Sequence, residues 1–281
     1  MQPIQWFPGH MTKALRMMEE NVKLCDGFVY VLDARACFGC LNYKLQKLFN
    51  NKPVLILINK SDTISRSDLD KITASLKAEF GFVLPTVGTS QKDAKAVYNA
   101  IIDMFKEKIE SKKARGINKT LRVMVCGIPN TGKSTVINSL AGKKQAMTGD
   151  KAGVTKGKQW IKLEGIELLD TPGTMPPSFE NQIYAHHLAY IGAINDAILD
   201  MESLLLDFIE EITALYPSAI QERYGVTPAE KPIETYELIC KSRGFILRGG
   251  EFDYERCAKA VFDDFRKQRL GKLCLETRPI N

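Results

Sequence analysis

Short apolar runs mark the first part of the chain: Phe28-Val29-Tyr30-Val31-Leu32, Val54 to Ile58, Phe82 to Val87 and Leu121 to Cys126. Each is rich in β-branched residues and nearly free of polar positions, the pattern of a strand covered on both faces. Between them, apolar residues recur at helical spacing, as at Met11, Leu15, Met18 and Val22. Strands alternating with helices predict an α/β fold with a mostly parallel sheet, right-handed crossovers and flanking helices. Gln159 to Leu163 and Ile166 to Leu169, joined through Glu164-Gly165, predict a hairpin. Beyond about Pro177 the strand signal fades. There Met201, Leu204, Leu205, Phe208, Ile209, Ile212 and Leu215 form one helical stripe, and Tyr254, Cys257, Ala258, Val261 and Phe265 another. The patterning therefore predicts an α/β domain over residues 1–177 and a small all-helical domain over 178–281.

Composition narrows this picture only a little. The 281 residues are 44% hydrophobic and 26% charged, an ordinary globular balance that excludes wholesale disorder. A formal charge of +6 fits either a polyanionic partner or a solvated basic surface. The same two readings apply to Lys106–Arg122, which would contain the linker between two halves of the α/β domain, and to Arg256, Lys259, Arg266, Lys267 and Arg269 on the polar face of the second stripe. No apolar run approaches the ~20 residues of a membrane span. The start, Met1 to Phe7, has neither signal-peptide nor transit-peptide character, so cytoplasmic residence is expected. Seven scattered cysteines suit reduced thiols, and Cys37 and Cys40 lack the second pair or nearby histidines that a zinc site would want.

The chemistry is concentrated in short motifs. Gly127-Ile128-Pro129-Asn130-Thr131-Gly132-Lys133-Ser134-Thr135 follows an apolar strand and precedes a helix, which is the setting of a phosphate-binding loop. Its glycines let backbone N–H groups curl around phosphates, and the helix N-terminus adds positive potential. Lys133 would bridge the β- and γ-phosphates, and the Ser134 hydroxyl would ligate Mg²⁺. Asp170-Thr171-Pro172-Gly173 closes a later strand. Asp170 would hold Mg²⁺ through water, and the Gly173 amide would reach the γ-phosphate. Thr155 is the candidate for a metal ligand present only in the triphosphate state.

Asn59-Lys60-Ser61-Asp62 decides the nucleotide. A buried Asp62 carboxylate would accept from guanine N1–H and the exocyclic amine. Adenine lacks that donor pair and would leave the charge unpaired, at a cost on the order of 1–3 kcal/mol. Asn59 would support the base edge, the stem of Lys60 would cover the ring, and Gly88-Thr89-Ser90 lies where an amide could meet guanine O6 or where a plain turn could stand. This motif precedes the phosphate loop, the reverse of the usual order. The permuted order leaves the site intact, because loops at the carboxyl ends of parallel strands converge whatever their sequence order. It changes the covalent exit: the segment after Gly173 runs directly into the helical domain.

Together with the leading Ile4-Gln5-Trp6-Phe7-Pro8-Gly9-His10-Met11, Asp33-Ala34-Arg35, Gln159-Trp160, Glu222-Arg223-Tyr224-Gly225 and Gly249-Gly250, these motifs closely resemble the ribosome biogenesis GTPase A family over nearly the whole chain. The resemblance implies a circularly permuted P-loop GTPase domain followed by a helical, rRNA-contacting domain. It implies a monomeric factor that hydrolyses GTP to GDP and phosphate, stimulated by the large ribosomal subunit or its precursor. It also implies that His10 orients the attacking water, and that Asn130 helps hold a potassium ion. This chain departs from the family at Ala36-Cys37-Phe38-Gly39-Cys40, which lacks the usual Pro-, Ser- and Arg-containing stretch, and at Thr174, where a larger apolar residue is usual and Met175 would supply the bulk. A nucleotide-gated RNA-binding module with slow resetting hydrolysis, and a scaffold that binds GTP structurally, are the competing readings.

Overall fold

A computed structural model of the chain describes residues 2–49, 51–114, 116, 120–142 and 159–280. The expected strands form one six-stranded sheet: β1 (Gly27–Asp33), β2 (Val54–Asn59), β3 (Phe82–Thr86), β4 (Leu121–Cys126), β5 (Gln159–Lys162) and β6 (Ile166–Asp170). Their order is β3-β2-β1-β4-β6-β5, parallel throughout except for the edge strand β5, which pairs antiparallel with β6 as the hairpin requires. Asp33 lies opposite Asn59 and Asn59 opposite Thr86, so β1, β2 and β3 end in line. Strand β4 ends where the phosphate loop begins, and β6 ends at Asp170. The motifs, scattered in sequence, thus leave the sheet along a single edge.

Both faces of the sheet are covered, which is why the strands read as continuous apolar runs. Val29, Val31, Leu55, Leu57, Val123 and Val125 pack with Val97 and Ile101 of α4 (Gln91–Met104) and with Val136 and Ile137 of α6 (Lys133–Ala141). The alternate residues Phe28 and Tyr30 meet the ring of Phe49 on α2 (Tyr43–Phe49), at centroid separations of 4.8 and 5.5 Å. Two further helices, α1 (Gly9–Val22) and α3 (Arg66–Phe80), complete this part together with the short α5 (Lys106–Lys113) of the basic linker. Some of that linker's cations are tied down locally: Lys108 pairs with Asp26 at 2.6 Å and Arg122 with Glu167 at 2.8 Å.

The chain forms two compact units, and their boundaries differ from a single cut between 177 and 178. The helical unit is Met1–Gln5 with Phe179–Leu273, and the α/β unit is Trp6–Ser178 with Cys274–Asn281. Hydrogen bonds remote in sequence account for both exchanges. The Ile4 amide donates to Gln182 Oε1 (2.7 Å), fastening the N-terminal segment to the helices. The Leu275 amide donates to the Arg35 carbonyl (2.8 Å) and the Gly39 amide to the Glu276 carboxylate (2.8 Å), fastening the C-terminal segment to the loop after β1.

The helical unit contains α7 (Gln182–Tyr190), α8 (Met201–Leu215), α9 (Ala219–Tyr224), α10 (Pro232–Arg243) and α11 (Tyr254–Arg266). Both sequence stripes turn inward apart from Leu215, which is exposed at the end of α8: the Phe208 ring lies 5.3 and 5.1 Å from those of Phe262 and Phe265. Asp200 and Asp253 cap the starts of α8 and α11 by accepting from the Ser203 and Arg256 amides, and Gly225 and Gly244 close α9 and α10. The basic residues expected on α11 and beyond are engaged inside the unit. Arg266 grips Asp196 with two bonds of 2.6 and 2.8 Å, Arg269 meets Asp264 at 2.7 Å, and Lys259 and Lys267 pair with Glu255 and Asp263 one turn away. Arg256 stacks over Phe245.

Candidate nucleotide-binding site

The loop Gly127–Gly132 runs from β4 into α6, with Lys133 at the first helical position. Gly132 in this loop and Gly173 in the segment after β6 serve close approach. A Cβ on Gly132, whose φ is +92°, would lie 2.3 Å from Asn59 Nδ2, and one on Gly173 would lie 2.6 Å from the backbone of Pro129. Lys133 is buried and donates to the Ile128 carbonyl at 2.7 Å. Burial pushes its ammonium down to about 8, against the pull of Asp170. A buried ammonium with one carbonyl partner retains donors for anionic oxygens. Thr131 is buried with its hydroxyl on the Ile128 carbonyl (3.2 Å), while Ser134 and Thr135 in the first turn of α6 are half-buried.

The sequence Asn59-Lys60-Ser61-Asp62 interlocks with that loop across about seventy residues of chain. Asn59 Nδ2 donates to the Thr131 carbonyl (2.7 Å), and its Oδ1 accepts from the Gly88 amide (2.9 Å). Lys60 Nζ donates to the Asn130 carbonyl (2.8 Å), and Ser61 Oγ to the Thr86 carbonyl (3.1 Å). Ser139 on α6 closes the circle by donating to the Gly88 carbonyl at 2.5 Å. The Gly88 amide is held by Asn59, so this loop does not offer that amide to a base. Asp62 is exposed rather than buried, because the 3-10 turn Ser61–Thr63 carries it outward. Of the neighbours of Gly88, Thr89 is exposed and Ser90 caps α4 by accepting from the Asp93 amide.

Asp170 is 1% exposed, and neither of its carboxylate oxygens has a hydrogen-bond partner among the described residues. Burial raises its carboxyl to about 6, partly opposed by Lys133. The Thr171 amide and the Ser134 hydroxyl also approach it and lower its value further, without a close hydrogen bond to either oxygen. An orphaned carboxylate next to a hydroxyl at a helix start fits a hard divalent cation such as Mg²⁺, which takes oxygen ligands. Thr155, the third expected metal ligand, lies outside the described residues. Thr174 is fully buried and its amide donates to the Gly127 carbonyl (3.3 Å), so its side chain faces the interior and not an attacking water. The Met175 amide donates to Met11 Sδ at 3.4 Å. That contact ties the residue after His10 to the strand-end motif. His10 itself is exposed in the first turn of α1 and makes no hydrogen bond or ion pair among the described residues. By contrast, His186 and His187 are buried in α7, the latter bonded to Glu211 at 2.7 Å, which is a structural arrangement.

Residues 122–235 match a family model described as a 50S ribosome-binding GTPase. That match opens at the strand before the phosphate loop and leaves Asn59–Asp62, which precede it here, outside. Nearly the whole chain aligns with ribosome biogenesis GTPase A of Bacillus cereus, 36% identical and covering 98% of this chain and 94% of the relative. The chain belongs to the ribosome biogenesis GTPase A family. A further relative of this GTPase is mitochondrial ribosome-associated GTPase 1 of Ictalurus punctatus, 33% identical over 98% of this chain and 93% of that protein. Among solved structures, GNP-bound YlqF from T. maritima superposes with a TM-score of 0.68 at 25% identity, covering 95% of this chain and all of that one. As a ribosome biogenesis GTPase the protein binds and hydrolyses GTP, and enzymes of this kind use Mg²⁺. No helix among the described residues is long and apolar enough to cross a membrane.

One residue that motif reading quoted without a role belongs to the site. Asp33, at the end of β1, is fully buried and pairs with Lys60 at 2.7 Å. Its position at the end of an apolar strand, one strand away from Asn59, was the available signal.

Proposed function

We propose that this GTPase is an assembly factor for the large ribosomal subunit, binding that particle or its precursor in the GTP state and leaving after hydrolysis. The observation that carries the reading is the interlock of Asn59, Lys60 and the phosphate loop, beside a buried Asp170 whose oxygens have no close hydrogen bond among the described residues. In the proposed assignment Asp62 reads the guanine edge, the Lys60 stem covers the ring, and Asn59 fixes the loop geometry. Lys133 and the amides of Pro129 to Thr135 hold the phosphates, with the Gly173 amide at the γ-phosphate. Ser134, Thr155 and Asp170 hold magnesium, which offsets charge developing on the phosphoryl oxygens. His10 orients water, and potassium near Asn130 adds compensating charge. The protein acts as a monomer, and its helical unit contacts rRNA. The covalent path from Gly173 through Ser178 into Phe179 gives the nucleotide state a short tether to that unit.

Turnover measured with and without large ribosomal subunits tests the role. Stimulation is expected; GTP-dependent binding without stimulation would leave only a nucleotide-gated RNA-binding module, and neither would leave a GTP-binding scaffold. The base assignment has its own test. Asp62→Asn should weaken GTP binding about tenfold or more and shift preference towards xanthosine triphosphate, whose added carbonyl accepts where guanine donates. ATP displacing GTP from the unaltered protein at equal concentration would overturn it.

A further inference from the structure

The Asp33 carboxylate is enclosed by donors. Oδ1 accepts from the Arg35 amide (3.1 Å) and from Arg35 Nε (2.9 Å), while Oδ2 meets Arg35 Nη2 and Lys60 Nζ, each at 2.7 Å. Burial by itself would raise this carboxyl, but the two cations overcome it and hold it well below the usual carboxylate range. Lys60 is the more flexible partner, and its surroundings hold both of its ends. Its backbone is in the left-handed region (φ +57°), uncommon for a lysine, and its carbonyl is held there by the Thr63 amide (2.9 Å) and hydroxyl (2.7 Å). Its ammonium is fixed between Asp33 and the Asn130 carbonyl (2.8 Å). A lysine side chain is rich in rotamers, and one already ordered loses less entropy when a ligand settles against its stem.

We propose that Asp33 is a positioning residue for recognition of the purine base: oriented by Arg35, it pins Lys60 so that the lysine stem stands ready beside the base plane before nucleotide binds. The arrangement is closed from behind by a segment far away in sequence. The Leu275 amide is bonded to the Arg35 carbonyl, and the Glu276 carboxylate holds the Gly39 amide, so residues 274–276 seal the loop that carries Arg35. This also accounts for the apolar Ala36-Cys37-Phe38-Gly39-Cys40, whose cysteines are buried beneath that segment within the α/β unit rather than offered to a partner. The inference rests on the assignment of Asn59–Asp62 as the guanine motif.

A double-mutant cycle on the full chain tests it, reading the affinities of fluorescent GDP and GTP together with melting temperature. Asp33→Asn, which keeps shape and removes charge, should weaken both nucleotides about tenfold and by equal factors, because the base end is common to them. Lys60→Met should lose a similar factor, and the double variant no more than the worse single one. Losses that multiply in the double variant, or a loss confined to GTP, would overturn the proposal, since a general loosening of the fold carries no coupling to Lys60. If Asp33→Asn does not fold, Arg35→Lys replaces it in the cycle, with an expected loss of about threefold for both nucleotides that disappears in the Lys60→Met background; multiplying losses again overturn the idea. Asp62→Asn is measured alongside. If it leaves the guanine-to-xanthine preference unchanged, the motif assignment falls and this proposal with it; if that preference shifts while the cycle is additive, only the role of Asp33 is lost.

Discussion

Asp264 in the helical unit and Asp170 beside the phosphate loop are both buried carboxylates, 6% and 1% exposed. Asp264 accepts from Arg223 Nε and Nη2 (2.8 and 3.0 Å), from the Tyr224 hydroxyl (3.0 Å) and from Arg269 Nη1 (2.7 Å). Asp170 has no close hydrogen bond to either oxygen among the described residues; the Thr171 amide and the Ser134 hydroxyl approach it and lower its value only in part. Their protonation follows. Burial alone would raise either carboxyl; at Asp264 the bonds from Arg223, Arg269 and Tyr224 overcome it and lower the value, whereas at Asp170 burial prevails and the value rises to about 6. A buried carboxylate with all its bonds made holds a fold together, while one left without them costs free energy and persists where something else completes it. The same contrast separates the histidines. His187 is buried against Glu211, and His10 stands exposed with no partner among the described residues.

If completeness marks structure and incompleteness marks function, His10 gives the largest effect. If the imidazole reaches the γ-phosphate only when the ribosomal particle orders its segment, as proposed, His10→Ala should leave GTP affinity nearly intact. Most of the particle-stimulated increment should disappear, because loss of a positioned acid–base group typically costs ~10²–10⁴-fold in its step. Turnover and particle binding are measured on one preparation. A stimulated rate within threefold of the unaltered protein would return His10 to the surface, and weaker particle binding would make Trp6–Met11 a docking segment instead.

Asp170 comes next and has two readouts of opposite sign. Asp170→Asn would remove the charge proposed to hold Mg²⁺, and GTP turnover at limiting Mg²⁺ should then fall by about 10²-fold. The nucleotide-free protein should gain about 1 kcal/mol of stability, because a desolvated carboxylate is replaced by a neutral amide. Loss of stability together with activity would mean that Asp170 is part of the scaffold, and the contrast with Asp264 would collapse.

Both carboxylates are visible in the sequence, yet only one could be read from it. Asp170 sits in a contiguous motif at the end of a β-branched run, so strand and ligand signals coincide. The six strands were legible for the same reason: burial on both faces of a parallel sheet leaves an unbroken apolar string, which local reading detects. Asp264 belongs to a network with Arg223 that spans 41 positions, and the C-terminal segment reaches Gly39 across 237. Such contacts follow from how elements pack and leave no periodicity behind. That is why a single cut after 177 groups Cys274–Glu276 with the helices that precede it, and why the pairing of Arg266 with Asp196, 70 positions away, is not legible either. The exposure of Asp62 and the capture of the Gly88 amide by Asn59 are likewise beyond local reading, since the first goes with the 3-10 turn after a left-handed Lys60 and the second joins positions 29 apart.

The smallest effect falls on the completed side. Asp264→Asn removes the charge that Arg223 and Arg269 share but leaves a side chain of the same shape, so the loss is that of charge-assisted bonds. Arg223 and Arg269 are 30% and 44% exposed, and solvent screens part of the interaction. An overall cost of about 1–2 kcal/mol is expected, read as a lower melting temperature with GTP affinity unchanged. The pH dependence fixes the cause. Because the folded carboxyl lies below its unfolded value near 3.9, the unfolded chain binds the proton first as acid is added. The stabilisation is therefore complete above about pH 4 and is lost as pH falls through the folded value. Stability of the unaltered protein should decline through that acid window more steeply than that of Asp264→Asn, the two curves converging at the acid end. Parallel curves, or a change in GTP affinity at neutral pH, would show that Asp264 serves something other than the internal bonding of the helical unit.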